Sequence, residues 1–475
     1  MFKKLKGLEG KAMRAENFNV HEGCPQEIRV EPRGNAEVLS DSTANLSGKD
    51  SMEAKEERLL EAIIIEENLN LAYKRVKANG GSHGVDGMKV EELLPYLKQH
   101  GGAIRQSILD GAYRPQSVRR VEIPKPDGGV RLLGIPTVID RLIQQAIAQE
   151  LNGVFDQGFS ANSYGFRPGR SAHDAIKAAR GHIEAGNGWV VDIDLEKFFD
   201  RVNHDKLMSL VARKVKDKRV LRLIRRYLES GVLTNGVKVR NDEGTPQGGP
   251  LSPLLANIML DELDKELERR GHKHCRYADD CNIYVKSRRA GERVMDSITR
   301  YIENKLKLKV NRKKSAVDKP KRRKFLGVSF YVMKGKARNY IPARSIERFK
   351  DKVRVITSRS KGRSMTVSRD YLNRLIIGWV NYFRIADMQQ TARELDGWIR
   401  RRIRMCYWKQ WKRISSKHEN LIKLGISSQK AWEFANTRKG CWNTAGSVIL
   451  AHALSNEQLE KRGFQSLTRQ LSFAH

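Results

Sequence analysis

The sequence predicts a mixed α+β fold over residues 58–335, followed by a helical region that begins near residue 340. In the first part, short strand-like runs bounded by turn residues alternate with longer runs of helical periodicity. Beyond residue 340, nearly all of the sequence has the apolar spacing of helices, and six of the seven tryptophans lie after residue 378. These observations together predict one α+β domain and one all-helical domain.

The composition limits the class of partner. The chain has 475 residues with 90 Lys and Arg against 55 Asp and Glu, a formal net charge of +35. Its 39% of hydrophobic residues can build a core, which excludes a disordered basic tail. Such a charge predicts a polyanionic partner, most often nucleic acid. The five cysteines form no CxxC pair, so neither a disulfide framework nor a four-cysteine zinc site is expected.

Two stretches have charge balances of their own. Residues 1–50 carry eight basic and eight acidic residues, and we interpret 1–57 as a mobile N-terminal extension. Residues 341–413 carry nineteen Lys and Arg against six Asp and Glu, or 19 − 6 = +13. No run of 18 apolar residues and no secretory signal occurs, so we expect no membrane partner and a cytoplasmic location.

Local signals define the elements in order. Helical spacing begins near Glu56 and stops at Gly80-Gly81. Residues 118–136 contain two strand-like runs around Pro126-Asp127-Gly128-Gly129, which predicts a hairpin. Residues 137–151 favour a helix, and 189–195 (WVVDIDL) favour a buried strand.

The second half of the α+β region begins with another helix. Ser252-Pro253 is a good N-cap and first-residue pair for a helix that ends before Gly271. Residues 275–285 (CRYADDCNIYV) predict a hairpin with two acids at its tip. Similarly, Ser171 and Asp174 predict a capping box at the start of a helix.

Carboxylates at strand ends are the strongest chemical signal. Asp192 and Asp194 share one face of the strand 189–195, and Asp279 and Asp280 lie at the hairpin tip. Alone, the first pair is more common at a capped strand end and the second in an ordinary turn. Together, in so basic a chain, they suggest a site for Mg²⁺ or Mn²⁺ and the chemistry of two-metal nucleotidyl transfer.

Five short motifs follow one another along the chain: 164–171 (YGFRPGRS), 194–200 (DLEKFFD), 244–253 (GTPQGGPLSP), 277–280 (YADD) and 324–327 (KFLG). In sequence and in order they resemble the motifs of group II intron-encoded reverse transcriptase/maturases. The resemblance covers roughly 58–475. Larger members continue into an HNH-type endonuclease with paired CxxC motifs, which are absent here, so the chain looks like the compact bacterial, class C-like proteins.

The resemblance implies a right-hand polymerase in four parts. Residues 1–57 are the N-terminal extension, and 58–335 form fingers and palm. Residues 336–413 form the helical thumb, also called the X or maturase domain, and 414–475 form a short C-terminal DNA-binding segment.

The resemblance also implies the roles of the acids. Asp194, Asp279 and Asp280 would be the catalytic residues and would bind two Mg²⁺ ions per active site, with Mn²⁺ as a possible substitute. Asp192 would lie outside this triad, as a structural residue or a weak electrostatic helper.

Four further residues would contact the incoming dNTP. Lys125 and Arg131 would hold its triphosphate, although a solvated basic hairpin is the alternative. Phe199 would be the aromatic gate against a ribose 2′-OH, although one of Phe198 and Phe199 is expected to fill the core. Gln247 and the glycines after it would let the backbone approach the nucleotide and template.

Basic residues would contact nucleic acid in two places. Arg167 and Arg170 would follow template or primer phosphates, with a solvated loop as the alternative. In the thumb, an outward arginine face would bind structured RNA or an RNA–DNA duplex, with a merely soluble bundle as the alternative. The residues of that face are Arg400, Arg401, Arg402 and Arg404.

The implied function is RNA-directed DNA synthesis coupled to binding, splicing and mobility of a group II intron RNA. Expected partners are that RNA, an RNA template, a DNA primer or target, and dNTPs, in the bacterial cytoplasm at the nucleoid. Two alternatives remain: a splicing maturase without polymerase activity, and a host-adopted reverse transcriptase acting in DNA repair. The sequence leaves the oligomeric state open.

Overall fold

A computed structural model describes residues 58–124, 128–234, 237–239, 243–245, 248–360 and 362–473. The N-terminal extension proposed for 1–57 and the predicted contacts Lys125 and Gln247 lie outside these residues. Within them, no helix has both the length and the apolar character that a membrane span requires.

The chain alternates helices with short strands up to residue 340 and is helical thereafter, as predicted. The helices are α1 (Leu59–Ile64), α2 (Glu66–Asn79), α3 (Leu93–Leu109), α4 (Val138–Phe155), α5 (Ala172–Glu184), α6 (His204–Val211), α7 (Lys218–Glu229), α8 (Ser252–Arg269), α9 (Arg288–Tyr301), α10 (Ala343–Ile356), α11 (Met365–Phe383), α12 (Gln389–Gln410), α13 (Ile414–Lys423), α14 (Ser428–Ala435), α15 (Cys441–Thr444), α16 (Val448–Ala453), α17 (Asn456–Lys461) and α18 (Leu467–Phe473). The strands are β1 (Val118–Pro124), β2 (Val130–Ile135), β3 (Trp189–Ile193), β4 (Val232–Thr234), β5 (Val237–Val239), β6 (Lys273–Tyr277), β7 (Asp280–Val285), β8 (Ala316–Asp318), β9 (Ser329–Met333) and β10 (Lys336–Tyr340).

Local signals in the sequence account for many of the helix ends. Gly80 adopts φ 62° and donates its N–H to the carbonyl of Val76, which ends α2 where the glycine pair predicts. Ser171 and Asp174 form the predicted capping box at the start of α5. At α8 the prediction is off by one residue, because Ser252 is the first helical residue and not the cap.

Two four-stranded sheets organise the α+β part. The first has the order β2-β1-β4-β5, and its β1–β2 hairpin is the one predicted for 118–136. The second has the order β6-β7-β3-β8, with antiparallel pairing throughout. Helices cover these sheets, and the predicted mixed fold is confirmed.

A continuous hydrophobic cluster joins the second sheet to the helical region. It extends from Val190 and Tyr284 on the sheet, through Trp379 and Ile403, to Leu471 near the end of the chain. The limit drawn at residue 413 therefore crosses a shared core. Since no gap in packing marks it, we keep the division into 336–413 and 414–475 as a functional proposal.

The last helix is also attached to α12 by polar contacts. Asp396 is buried and accepts hydrogen bonds from the backbone N–H groups of Leu467 and Thr468, at 2.8 and 3.0 Å, and from the Thr468 hydroxyl at 2.7 Å. An acid on one helix thus caps the start of another, which holds the C-terminal residues against the bundle.

Candidate active site

The ladder between β3 and β7 determines where the acids lie. Asp192 pairs with Asn282 and Ile193 with Cys281, so the next position, Asp194, continues towards Asp280 on the facing strand. Asp194 itself follows the strand, and its backbone N–H donates to Ser315 Oγ at 3.0 Å. Antiparallel pairing therefore brings the motifs 194–200 and 277–280, which are far apart in the chain, to the same end of the sheet.

A two-residue turn carries the third acid. Tyr277 pairs with Asp280, which leaves Ala278 and Asp279 at the tip of the β6–β7 hairpin. Ala278 has φ 58°, in the left-handed region that residues other than glycine rarely occupy. A Cβ on Gly165 would collide with the backbone nitrogen of Ala278, so the 164–171 motif packs directly on this turn.

A buried arginine supports the turn from inside. Arg276 is fully buried and pairs with Asp264 of α8, with Nη2 2.6 Å from Oδ2 and Nε 2.9 Å from both carboxylate oxygens. Its Nη1 donates to the carbonyl of Ala278 at 2.9 Å and to Asn257 Oδ1 at 3.0 Å. Asn257 in turn donates to the carbonyl of Gly165 at 2.9 Å. This network joins α8, the turn and the 164–171 motif.

Sequence reasoning missed this network although a signal existed. Asn257, Asp261 and Asp264 recur at spacings of four and three along α8, and all three are buried. Polar residues on one face of an otherwise apolar helix indicate a buried polar partner. Arg276, directly before the YADD sequence, is that partner for Asp264.

Neighbouring charges perturb the turn acid Asp279. It is open to solvent, yet the surrounding protein removes part of its hydration, and this effect raises its pKa. The charge of Asp194 adds to the rise, while the cations Arg131 and Arg276 oppose it. Arg131, exposed on β2, therefore lies within electrostatic reach of Asp279, and it stays a predicted contact to the triphosphate.

The pKa of Asp280 is raised further than that of Asp279. Burial first, and then the charges of Asp192, Asp279 and Asp194, hold its pKa well above the usual range, with Lys324 opposing them. The four acids thus share one region of excess negative charge.

Asp192 has a cation of its own. Its carboxylate accepts hydrogen bonds from Nε of Arg323, at 2.8 Å, and from Nη2 of the same guanidinium. Burial nevertheless raises its pKa, and Asp194 adds to this. An acid engaged by Arg323 agrees with the expectation that Asp192 lies outside the triad.

The carboxylate oxygens of these acids are the type of ligand that a hard divalent cation prefers. Among the residues that the structure describes, no three His, Cys, Asp or Glu side chains are arranged to hold an ion in their present rotamers. Neighbouring carboxylates contribute to the raised pKa of Asp279 and Asp280, and a bound cation would offset that contribution. Oxygen-only donors on adjacent strands suit Mg²⁺ or Mn²⁺.

The loop after β3 links two motifs. Phe198 is buried in the core and Phe199 is only partly buried, with ring centroids 5.1 Å apart, so one of the pair fills the core as expected. The N–H of Thr245 donates to the carbonyl of Phe199 at 2.6 Å. Gly248, φ 126°, leaves room for the carbonyl of Gly134 on β2, which a Cβ would approach to 2.7 Å. The 244–253 motif thus lies between the acids and the β1–β2 hairpin.

Comparison with known proteins identifies the domains that carry these motifs. Residues 123–330 match the family "Reverse transcriptase (RNA-dependent DNA polymerase)", and 346–425 match "Group II intron, maturase-specific domain". Protein YkfC of Escherichia coli is 34% identical over 301 residues, which cover 55% of this chain and 79% of YkfC.

The chain belongs to the group II intron reverse transcriptase/maturase family.

Other relatives match over a smaller part of their length. The group II intron-encoded protein LtrA of Lactococcus lactis is 40% identical over 196 residues, which cover 41% of this chain and 32% of LtrA. The nuclear intron maturase 2 of Arabidopsis thaliana is 29% identical over 171 residues, or 28% of this chain and 23% of the relative. The two matched domains and the similarity to LtrA support an RNA-directed DNA polymerase that depends on divalent metal and assists the splicing and mobility of intron RNA.

The structure corrects one predicted nucleic-acid contact of this reverse transcriptase. Arg167 is buried, and its Nε pairs with Asp156 Oδ1 at 2.6 Å. Its Nη1 donates to the carbonyls of Ser160 and Ser163, and its Nη2 to that of Asp156. A guanidinium so engaged holds the loop together and is closed to a phosphate.

Arg170 is different from Arg167. Its Nη1 donates to the carbonyl of Ala161 at 2.6 Å, but the side chain remains partly exposed beside Tyr164. It therefore stays a predicted nucleic-acid contact.

Three of the four predicted thumb arginines of this maturase are also structural. Arg402 donates to the carbonyls of Arg354 and Thr357 at the end of α10, and Arg404 donates to that of Leu454 at the end of α16. Burial lowers the pKa of both guanidinium groups. Arg401 donates twice to the carbonyl of Trp442 and lies 4.2 Å from its ring centroid.

The prediction that these arginines face outwards is therefore wrong for Arg401, Arg402 and Arg404. Helix ends leave carbonyls without partners, and long cationic side chains from α12 supply donors to them. Arg400 alone of the four stays a predicted nucleic-acid contact.

Proposed function

We propose that this reverse transcriptase extends a DNA primer on an RNA template, with Asp194, Asp279 and Asp280 as the ligands of two Mg²⁺ ions, for which Mn²⁺ can substitute. The observation that carries the proposal is the β3–β7 register, which directs Asp194 towards Asp280 beside the turn acid Asp279. Bound there, the ions would lower the pKa of the attacking 3′-hydroxyl and stabilise the leaving oxygen.

The residues around the acids support a role in binding dNTPs. Arg131 is exposed on β2 near Asp279, where a guanidinium can bind phosphate oxygens in a bidentate manner. Phe199, partly exposed after β3, is the proposed gate that contacts the sugar. Lys125 and Gln247 are assigned to the triphosphate and the nucleotide by motif resemblance alone.

The helical region supports the second activity. We propose that residues 336–413 bind the intron RNA and stabilise its active fold, while 414–475 contact DNA and 58–335 form fingers and palm. Arg170 and Arg400 are the remaining proposed contacts to nucleic acid. Acting on intron RNA and its DNA target, the protein would work at the bacterial nucleoid in the cytoplasm.

Primer extension on an RNA template tests the polymerase proposal. Asp279→Asn should reduce DNA synthesis by about two to three orders of magnitude, because a neutral amide is a poor ligand for a hard cation. The matched control is Asp205→Asn, an exposed acid of α6, which should retain full activity. RNA binding and intron splicing should persist in both variants.

Two outcomes would overturn the proposal. A wild-type protein that supports splicing but never extends a primer would be a maturase without polymerase activity. An Asp279→Asn variant that retains synthesis would exclude this acid as a ligand.

A further inference from the structure

A groove of about 420 Å³ opens on the helical region, far along the chain from the carboxylates. One wall is the first turn of α11, from Met365 to Arg369. Tyr407 of α12 lies between this wall and the opposite one, which is formed by the residues that end and follow α17. A cavity of this volume is large enough for a small-molecule ligand or a single nucleotide.

The groove is strongly cationic. Arg369, Lys461 and Arg462 line it, and its described lining contains no carboxylate. Arg369 pairs with Asp370 outside the groove at 2.9 Å. Within the described part of the chain, Lys461 and Arg462 have no Asp or Glu oxygen within 4 Å, so their charge is available to an anion. The N-terminal end of α11, a helix of 19 residues, adds its positive dipole end.

Hydrogen bonds hold the two walls together. Asn373 of α11 donates from Nδ2 to the carbonyl of Gly463 at 2.7 Å, and its Oδ1 accepts from the N–H of Gln465 at 2.9 Å. Arg369 donates to the carbonyl of Arg462 at 3.2 Å. The backbone that follows Lys461 is therefore held against α11, which reduces the ordering cost of binding.

Aromatic and planar groups lie beside the cations. Tyr407 is half-buried, and its ring meets the buried ring of Phe464 edge to face with centroids 6.4 Å apart. The guanidinium of Arg462 lies over Tyr407, 5.6 Å from its centroid. Guanidinium planes and aromatic rings are the surfaces on which unpaired bases stack in RNA complexes.

We propose that this groove binds one nucleotide of single-stranded RNA, with its phosphate at Lys461 and Arg462 and its base against the Arg462–Tyr407 pair. The inference deepens the proposed function, on which it rests, by assigning part of the intron-RNA interface to named residues. RNA is favoured as the occupant because the α11 and α12 side of the groove lies within 346–425, the maturase-specific match. Lys461 and Arg462 lie within 414–475, the segment proposed to contact DNA, so DNA of the same sequence is the competing occupant in the test.

The test measures the affinity of the protein for a fluorescein-labelled 12-nucleotide single-stranded RNA at several salt concentrations. DNA of the same sequence is measured in parallel. The double variant Lys461→Gln/Arg462→Gln should weaken RNA binding roughly tenfold and reduce the slope of log K against log salt by about 1.4, or about 0.7 for each cation. The charge-matched control Arg289→Gln/Arg293→Gln, on the exposed face of α9, should change RNA affinity less than about twofold.

Cross-linking provides an independent readout of the base. A 4-thiouridine in the same RNA should cross-link to a peptide that contains Tyr407 or Phe464, and the Lys461→Gln/Arg462→Gln variant should lose that cross-link. Unchanged RNA affinity in this variant, an equal loss in the α9 control, or a loss confined to DNA would each overturn the proposal.

The same variants separate this inference from the polymerase proposal. Asp279→Asn, which should lose DNA synthesis, should bind the 12-nucleotide RNA with wild-type affinity, because the groove lining includes none of the three carboxylates. An active wild-type polymerase whose RNA affinity is unchanged by Lys461→Gln/Arg462→Gln would refute the groove proposal alone. An inactive wild type whose RNA affinity still depends on the groove would refute the polymerase alone.

Discussion

Arg276 donates a hydrogen bond from Nη1 to the carbonyl oxygen of Ala278, at 2.9 Å, from a position that is closed to solvent. Ala278 is the residue with positive φ in the turn that presents Asp279. A left-handed alanine costs conformational energy, so it persists only where the surroundings enforce it. The buried pair Arg276–Asp264 supplies that enforcement, which connects a core ion pair to the geometry of the proposed metal site.

Breaking this pair should cost both stability and activity. Arg276→Met leaves Asp264 buried without its cation, and we expect a loss of about 3–5 kcal/mol in the free energy of unfolding. The double variant Arg276→Met/Asp264→Leu should recover part of that stability, because it buries no lone charge, although buried acceptors such as Asn257 still lose their donor. Chemical unfolding followed by fluorescence measures both.

DNA synthesis distinguishes a positioning role from a purely structural one. In the double variant the Ala278 carbonyl still lacks its donor, so kcat for primer extension should stay well below the wild-type value while KM for dNTP changes little. A stable double variant with wild-type kcat would show that Arg276 serves the core alone.

Phe199→Ala should admit ribonucleotides. The Phe199 side chain is partly exposed in the loop after β3, and its removal would open the space that the proposed gate denies to a 2′-hydroxyl. Competition between dNTP and rNTP in primer extension measures the change. The neighbouring Phe198→Ala is the control: it should lose about 3–5 kcal/mol of stability from a core cavity without changing sugar selectivity. Unaltered selectivity in Phe199→Ala would rule out the gate.

The thumb arginines should separate into two classes. Arg404→Gln removes a donor from the Leu454 carbonyl at the end of α16, so we expect a loss of about 1–3 kcal/mol in stability. Its RNA affinity per folded molecule should stay within about twofold of the wild type. Arg400→Gln should leave the stability nearly unchanged and should weaken RNA binding. Thermal unfolding and filter binding on both variants measure these effects, and a large affinity loss in Arg404→Gln would contradict the structural assignment.

Two thiols near the turn should be unreactive in the native protein. Burial raises the pKa of Cys275 to about 12, and that of Cys281 lies well above its usual range. At pH 8 the thiolate of Cys275 is therefore about a thousandfold rarer than that of an ordinary cysteine. Among the four cysteines that the structure describes, iodoacetamide labelling with peptide mass spectrometry should modify the half-buried Cys441 first. Equal labelling of Cys275 without denaturant would show that the sheet opens.

The sequence by itself determined the fold class, the element order and the acids of the candidate site. Strand alternation, helical spacing and caps such as Gly80 and Ser171 depend on residues a few positions apart, so they can be read locally. The motif 277–280 likewise predicted its own hairpin, because a two-residue turn needs only its flanking strands.

Only the tertiary structure decided which cations are free to meet nucleic acid. Arg401, Arg402 and Arg404 look alike in sequence, but their acceptor carbonyls lie 41, 45 and 50 residues away, on other helices. The Arg276–Asp264 pair and the groove at Lys461 also depend on elements that meet only after folding. A guanidinium has five donors and a long reach, so its partner is set by which backbone packs beside it and not by its neighbours in the chain.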